Sequence, residues 1–242
     1  EGNIEKNCAH IEELVRNHSS DDIDLLCFPE LCISGYNFEK AIISDREALF
    51  FSGLASKYKI AIMAGINKKE GNQHYDVACI WDETGTLLGE YKKIHLWDKE
   101  NDFFAKGEEL VTVSFKGWTI GLLICADFGF SELAKSLALK KNADVIMYPS
   151  AWNPGWDYLF SGCSSIRAAE NQVYTVGLNR ASGDVEYCGN TTVSNPDGTT
   201  LARLCTSEES YTRVVLKKEC LEKAKETIPW RLMRREEVYN KI

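Results

Sequence analysis

Five short apolar runs limit what this chain can fold into: DLLCF at 24–28, IAIMAGI at 60–66, GLLIC at 121–125, DVIMYP at 144–149 and QVYTVGL at 172–178. Each is short and nearly continuous, the pattern of a strand covered on both faces. Between them lie stretches with helical spacing. In 5–18, Cys8, Ile11, Leu14 and Val15 share one face; 48–58 reads as a helix; Leu133, Leu137 and Ala138 share a face in 131–142. The segment 158–171 reads as helical despite Gly162, and a last helix starts near 217. Hairpins are interleaved. ETGT joins YDVACIWD to LLGEYKK, Lys116-Gly117 joins LVTVSF to WTIGLLIC, and PDGT separates CGNTTVSN from TLARLC. Strands alternating with helices early and hairpins later predict an α/β chain, with mixed sheets inside and helices outside. No repeat or linker divides 1–242, so a single domain is expected.

Composition narrows the partners. With 28 basic and 36 acidic residues the formal charge is 28 − 36 = −8, which argues against nucleic acid or an anionic membrane as the main partner. No apolar run approaches the roughly 18–20 residues a membrane helix needs. The nine cysteines are scattered, without a C-x-x-C pair. That pattern fits a reducing, cytoplasmic setting rather than a disulfide framework. Neither the cysteines nor His10, His18, His74 and His95 show paired ligand spacing, so a zinc site is not expected.

Three apolar strands end directly on a reactive side chain. DLLCFPE delivers Glu30, GEYKKIHL delivers Lys92 and Lys93, and GLLIC delivers Cys125. Strand ends in α/β folds are where sites assemble. Taken singly, each residue is ordinary: a solvated loop acid, a surface charge, a packing cysteine. Together they are chemically coherent. A thiol is mostly protonated at neutral pH and needs a base to become a nucleophile. A poorly solvated carboxylate can be that base. A buried ammonium, with backbone N–H groups just past the cysteine at Ala126, can hold the oxyanion formed on attack at a carbonyl or nitrile carbon.

FPELCISGY, YKKIHLWDKENDFFAKGEE and GLLICADFGFSEL resemble the three signature blocks of the nitrilase superfamily, the carbon–nitrogen hydrolases. DVIMYPSAW, RAAEN leading to VGLNR, GNTTVSNPDGT and RREEVY follow in the family's order. The resemblance implies a four-layer αββα sandwich, a Glu-Lys-Cys triad, no metal or cofactor, and homodimers or larger homo-oligomers. Carried over residue by residue, it puts the base at Glu30, the oxyanion lysine at Lys93 (directly before IHL) and the nucleophile at Cys125. Glu100 matches the family's second glutamate. The family starts with an apolar strand ahead of its first helix, whereas this sequence opens EGNIEKN. A first strand missing from the domain is therefore expected.

The block after the cysteine departs from the family. Ala126 and Gly129 stand where aromatic or guanidinium groups are common, so recognition of a carboxylate is not implied. Ser131 replaces a proline and is expected to cap the next helix. Asp127 reads as structural. His95 reads as a hydrogen bond beside the site or a proton shuttle. Tyr36, Trp152 and Asn153 either line the substrate pocket or pack; Arg167 and Glu170 read as an ion pair, Asn179 as a supporting hydrogen bonder.

The resemblance implies thiol-dependent hydrolysis of a C–N bond in a small linear carboxamide or N-carbamoyl amine, releasing ammonia or amine. The shortness of the chain leans towards that amidase or carbamoylase side. Two alternatives stay open: nitrile hydrolysis to acid and ammonia, and a non-catalytic interaction or regulatory domain with this fold.

Overall fold

The computed structural model describes residues 2–20, 22–41, 46–239 and 241. The chain opens with helix α1 (Ile4–His18), capped by Asn3, whose side chain accepts from the Lys6 N–H at 3.1 Å. Strand β1 (Leu25–Cys27) follows, then α2 (Phe38–Ala41), α3 (Glu47–Tyr58), β2 (Ala61–Glu70), β3 (Gln73–Trp81) and β4 (Leu87–Lys92). The second half runs β5 (Val111–Phe115), β6 (Trp118–Leu122), α4 (Ser131–Lys140), β7 (Val145–Ser150), α5 (Asp157–Asn171), β8 (Tyr174–Asn179), β9 (Thr192–Ser194), β10 (Thr200–Arg203), α6 (Lys218–Thr227) and α7 (Glu236–Tyr239).

Two mixed sheets form. The first has order β1-β2-β3-β4 and the second β10-β9-β8-β7-β6-β5. Period-two alternation divides the work of β3. Ala78 and Ile80 join Met63 and Tyr91 in the core shared with the second sheet, while Val77, Cys79 and Trp81 pack with Ile11, Val15, Phe51 and Leu54 of α1 and α3. On the far side, Ala134, Leu137 and Phe160 of α4 and α5 cover the second sheet. The result is helices, sheet, sheet, helices, the αββα layering that the resemblance implies.

Register sets the direction of the strand ends. β1 is parallel to β2, β2 antiparallel to β3, and β3 antiparallel to β4. The outer strands β1 and β4 therefore point the same way and end on the same side of the sheet.

Two elements differ from the sequence reading. β2 continues past Ile66 to Glu70, because Asn67, Lys68 and Lys69 keep pairing with Asp76, Tyr75 and His74 across a turn at Gly71 and Asn72. Ser131 does not cap α4. The preceding 3₁₀ turn carries the chain to Phe130, which takes the cap position without a side-chain bond, and Ser131 is already helical.

Candidate active site

Glu30 is brought over its sheet by the backbone that follows β1. Phe28 N donates to Met63 O at 2.8 Å, Gly65 N to Pro29 O at 3.2 Å and Cys32 N to Gly65 O at 3.1 Å. The crossing is so close that a Cβ at Gly65 would lie 2.5 Å from the Glu30 Cα. Only glycine permits it. Leu31 next to it holds a φ of +44°, and Arg180 Nη1, beyond β8, donates to its carbonyl at 2.8 Å.

Lys93 and Lys92 are adjacent and end in opposite environments. Lys92 faces outward and pairs with Glu70 at 2.5 Å. Lys93 is fully buried, its backbone held between the Asp76 carbonyl at 2.9 Å and the Gly107 N–H at 2.8 Å. A Cβ at Gly107 would come within 2.1 Å of the Lys92 carbonyl oxygen. The Lys93 ammonium donates to Glu30 Oε1 at 2.6 Å and Glu100 Oε1 at 2.8 Å, and lies 3.4 Å from Asp76 Oδ2. Burial alone would lower its pKa, but the charges of Glu30, Cys125, Asp76 and Glu100 outweigh that and raise it well above the usual lysine range.

Glu100 sits in a 3₁₀ turn at Asp98–Asp102, where its Oε2 reaches back to accept the Trp97 N–H at 2.8 Å. Its Oε1 also accepts the Tyr36 hydroxyl at 2.9 Å. Burial raises its pKa, with Lys93 opposing and Glu30 adding to the rise.

Cys125 opens a second 3₁₀ turn, Cys125–Gly129, at a φ of +44°. A non-glycine residue in that region is strained, and such strain clusters at functional sites. Asp127 holds the turn. Its Oδ2 accepts the Ile124 N–H at 3.0 Å and the Tyr91 hydroxyl at 2.7 Å, and its Oδ1 accepts the His95 N–H at 3.2 Å and meets His95 Nδ1 at 2.9 Å. Asp127 thus ties β4 to the turn after β6, across the two sheets. The thiol itself is buried, and burial followed by the Glu30 charge pushes its pKa well above the ordinary value, against the pull of Lys93. The Glu30 carboxylate and the Lys93 ammonium both act on it electrostatically, in opposite senses.

The remaining residues singled out in the sequence divide. Tyr36 joins the cluster through Glu100, while Ala126 follows Cys125 and is half-buried. Trp152 follows β7 and packs edge-on against Phe128 and Phe160; its backbone N–H donates to Asn179 Oδ1 at 2.7 Å, and its indole Nε1 has no partner among the described residues. Asn153 is exposed. His95 stacks on Phe130 with ring centroids 3.4 Å apart. Arg167 pairs with Glu170 at 3.0 Å and also donates to the Phe128 carbonyl.

Among the described residues, one set of carboxylates has oxygens close enough for a metal ion: Glu30, Asp76 and Glu100, all within 4.8 Å of one another. The Lys93 ammonium lies among these oxygens, in the place a cation would take. Asp76 escaped the sequence reading, although a signal was there. In YDVACIW it alternates with Ala78 and Ile80, which puts a carboxylate on the core face of a strand.

The family model described as carbon-nitrogen hydrolase matches residues 1–223. A nitrilase of Pyrococcus abyssi is 32% identical over 217 residues, which cover 85% of this chain and 81% of that protein. Omega-amidase NIT2 of Homo sapiens is 28% identical over 261 residues, covering 98% and 91%. The crystal structure of Saccharomyces cerevisiae Nit3, a member of branch 10 of the nitrilase superfamily, superposes with a TM-score of 0.82 at 26% identity, covering 94% of this chain and 88% of that one.

Proposed function

The chain belongs to the carbon–nitrogen hydrolase family, and from that premise we propose that it hydrolyses the C–N bond of a small linear carboxamide or N-carbamoyl amine through a thioester on Cys125. The observation that carries this reading is a buried Lys93 ammonium held by Glu30 and Glu100, in one site with a buried, strained cysteine.

Glu30 takes the thiol proton as the sulfur attacks the substrate carbonyl. The oxyanion is met by Lys93 and the Ala126 N–H, donors fixed before the charge develops. The nitrogen leaves as ammonia or amine, protonated through Glu30. Water then attacks the thioester with Glu30 again as base. Glu100 keeps Lys93 in position, and Tyr36 keeps Glu100. Trp152 and Asn153 lie past the end of β7, where we place the substrate's remaining atoms. Amidase names among the relatives, such as omega-amidase, favour an amide over a nitrile. The nine free cysteines favour a reducing, cytoplasmic setting, and we expect homodimers or larger homo-oligomers. Among the described residues no helix is long and apolar enough to cross a membrane.

The test pairs a panel of linear amides and N-carbamoyl amines with their matched nitriles, reading ammonia release and the intact mass of the protein. An acyl adduct on Cys125 from the amides is expected. Replacing Cys125→Ala should cut turnover by at least about a thousandfold. Full turnover in that variant would end the scheme, and release from the nitriles alone would transfer it to the nitrile reaction.

A further inference from the structure

Asp76 has no part in this scheme, yet its carboxylate lies inside the cluster that carries it. It is fully buried on β3, and Lys93 Nζ is 3.4 Å from its Oδ2. Among the described residues no donor bonds either Asp76 oxygen or Glu30 Oε2, and the two carboxyl groups meet each other. Buried polar atoms are rarely left so, and each instance calls for a cause. With all three acids ionised, one ammonium would face three negative charges in a fully buried site, and three acceptor atoms would have no donor. One proton held between Asp76 and Glu30 removes one of the three negative charges and gives two of the three atoms a hydrogen bond.

We infer that Asp76 is a positioning residue that shares one proton with Glu30, stays a neutral carboxylic acid in the working enzyme, and so limits the negative charge around Lys93 and Cys125. The proton belongs there because the other acids are better served. Glu30 is bonded by Lys93 at 2.6 Å, and Glu100 by Lys93, Tyr36 and the Trp97 N–H. The groups facing Asp76 are Glu30 from the loop after β1, Lys93 from the end of β4 and Glu100 from its 3₁₀ turn, with Tyr36 beyond them. Its register partner on β2 is the uncharged Asn67. Burial, followed by the Glu30 charge, holds the Asp76 carboxyl well above the usual carboxylate range, with Lys93 opposing.

Neutral Asp76 leaves Glu30 charged for the thiol proton and leaves Lys93 with positive charge to spare for the oxyanion. When the pair loses its proton at high pH, a second negative charge appears beside both. The thiol then holds its proton more tightly, and part of the effect of Lys93 is offset. This kinetic consequence rests on the hydrolase reading; the proton itself does not.

Infrared spectra of the intact, substrate-free protein at neutral pH should therefore contain the carbonyl band of a buried carboxylic acid that moves when aspartate carries heavy carbon in its side chain. A protonated Glu47 would contribute a band that moves only with labelled glutamate. The aspartate band should vanish in Asp76→Asn, whose amide replaces the hydroxyl donor in nearly the same shape. No aspartate-sensitive band in the wild type, or its survival in Asp76→Asn, overturns the proposal; the labelling needs no variant and so does not depend on the substitution folding. With a turned-over amide in hand, the alkaline fall of kcat/KM should move up by about one pH unit or more in Asp76→Asn. Superimposable pH profiles would overturn the positioning role. Absence of turnover in the wild type would instead count against the hydrolase reading, and the infrared result would stand.

Discussion

Asp127 and Asp76 are both fully buried, both touch the chemistry around Cys125, and differ in what reaches them. Asp127 is met by two backbone N–H groups, the Tyr91 hydroxyl and the His95 ring. Asp76 is faced by Lys93 and by two further acids, Glu30 and Glu100, and among the described residues no donor bonds either of its oxygens. Glu47, buried at the start of α3, falls between them. Its Oε2 accepts the Asn67 N–H at 3.0 Å, while its Oε1 has no hydrogen-bond partner among the described residues. Burial pushes its carboxyl up to about 7, with the Asn67 bond opposing. The lesson is that equally buried acids differ in how many donors reach them. Asp127 serves as an anchor, and Asp76 belongs to the acid cluster around Lys93.

Removing the cation from the pocket should have the largest effect. Lys93→Met leaves Glu30, Asp76 and Glu100 buried without a counter-charge, so turnover should disappear and urea unfolding at neutral pH should report a loss of about 3–5 kcal/mol. That loss should shrink as pH falls and the carboxylates neutralise; a pH-independent loss would mean the pocket is not held by charge.

Stripping the anchor should come next. Asp127→Ala deprives two backbone N–H groups, Tyr91 and His95 of their acceptor, and a destabilisation of about 3–4 kcal/mol is expected. Because the same carboxylate shapes the turn that begins at Cys125, activity should fall with it. An unchanged unfolding midpoint would erase the contrast between the two aspartates.

Glu47 supplies the smallest effect and a sign to check. Its folded pKa is about 7 against an ordinary 4.5. The folded state therefore binds the proton more tightly, and Glu47 lowers stability progressively as pH rises from about 4.5, levelling off above about 7. Glu47→Gln should gain up to roughly 3 kcal/mol at pH 8 relative to its effect at pH 4, read from paired denaturation curves. Equal effects at both pH values would place Glu47 among the well-satisfied acids.

Much of the fold was legible because its signals are local. The continuous runs at β1, β7 and β8 and the turn residues between β3 and β4 predict those strands. The helix spacing of Ile11 with Val15, and of Leu137 with Ala138, predicts which faces are buried. Glu30, Lys93, Glu100 and Cys125 were named from the signature blocks, and the structure brings Glu30 and Glu100 onto the Lys93 ammonium. Other features had no local signal to find. Gly65 reads as an ordinary strand glycine until the Glu30 backbone is seen crossing it. Ser131 looks like a cap because the 3₁₀ turn that displaces it depends on Asp127 being gripped from β4.

The sequence by itself determined the layers, the order of the strands' reactive ends and the set of chemically matched residues, because hydrophobic period and strand-end position are properties of a few consecutive residues. Tertiary structure alone decided the proton count. Residues 30, 76, 93 and 100 come from four separate segments, and only their convergence within a few ångströms, sealed from solvent, forces three acids to share one lysine. Charge in such a place is set by distance and desolvation, and neither can be read from the order of residues along the chain.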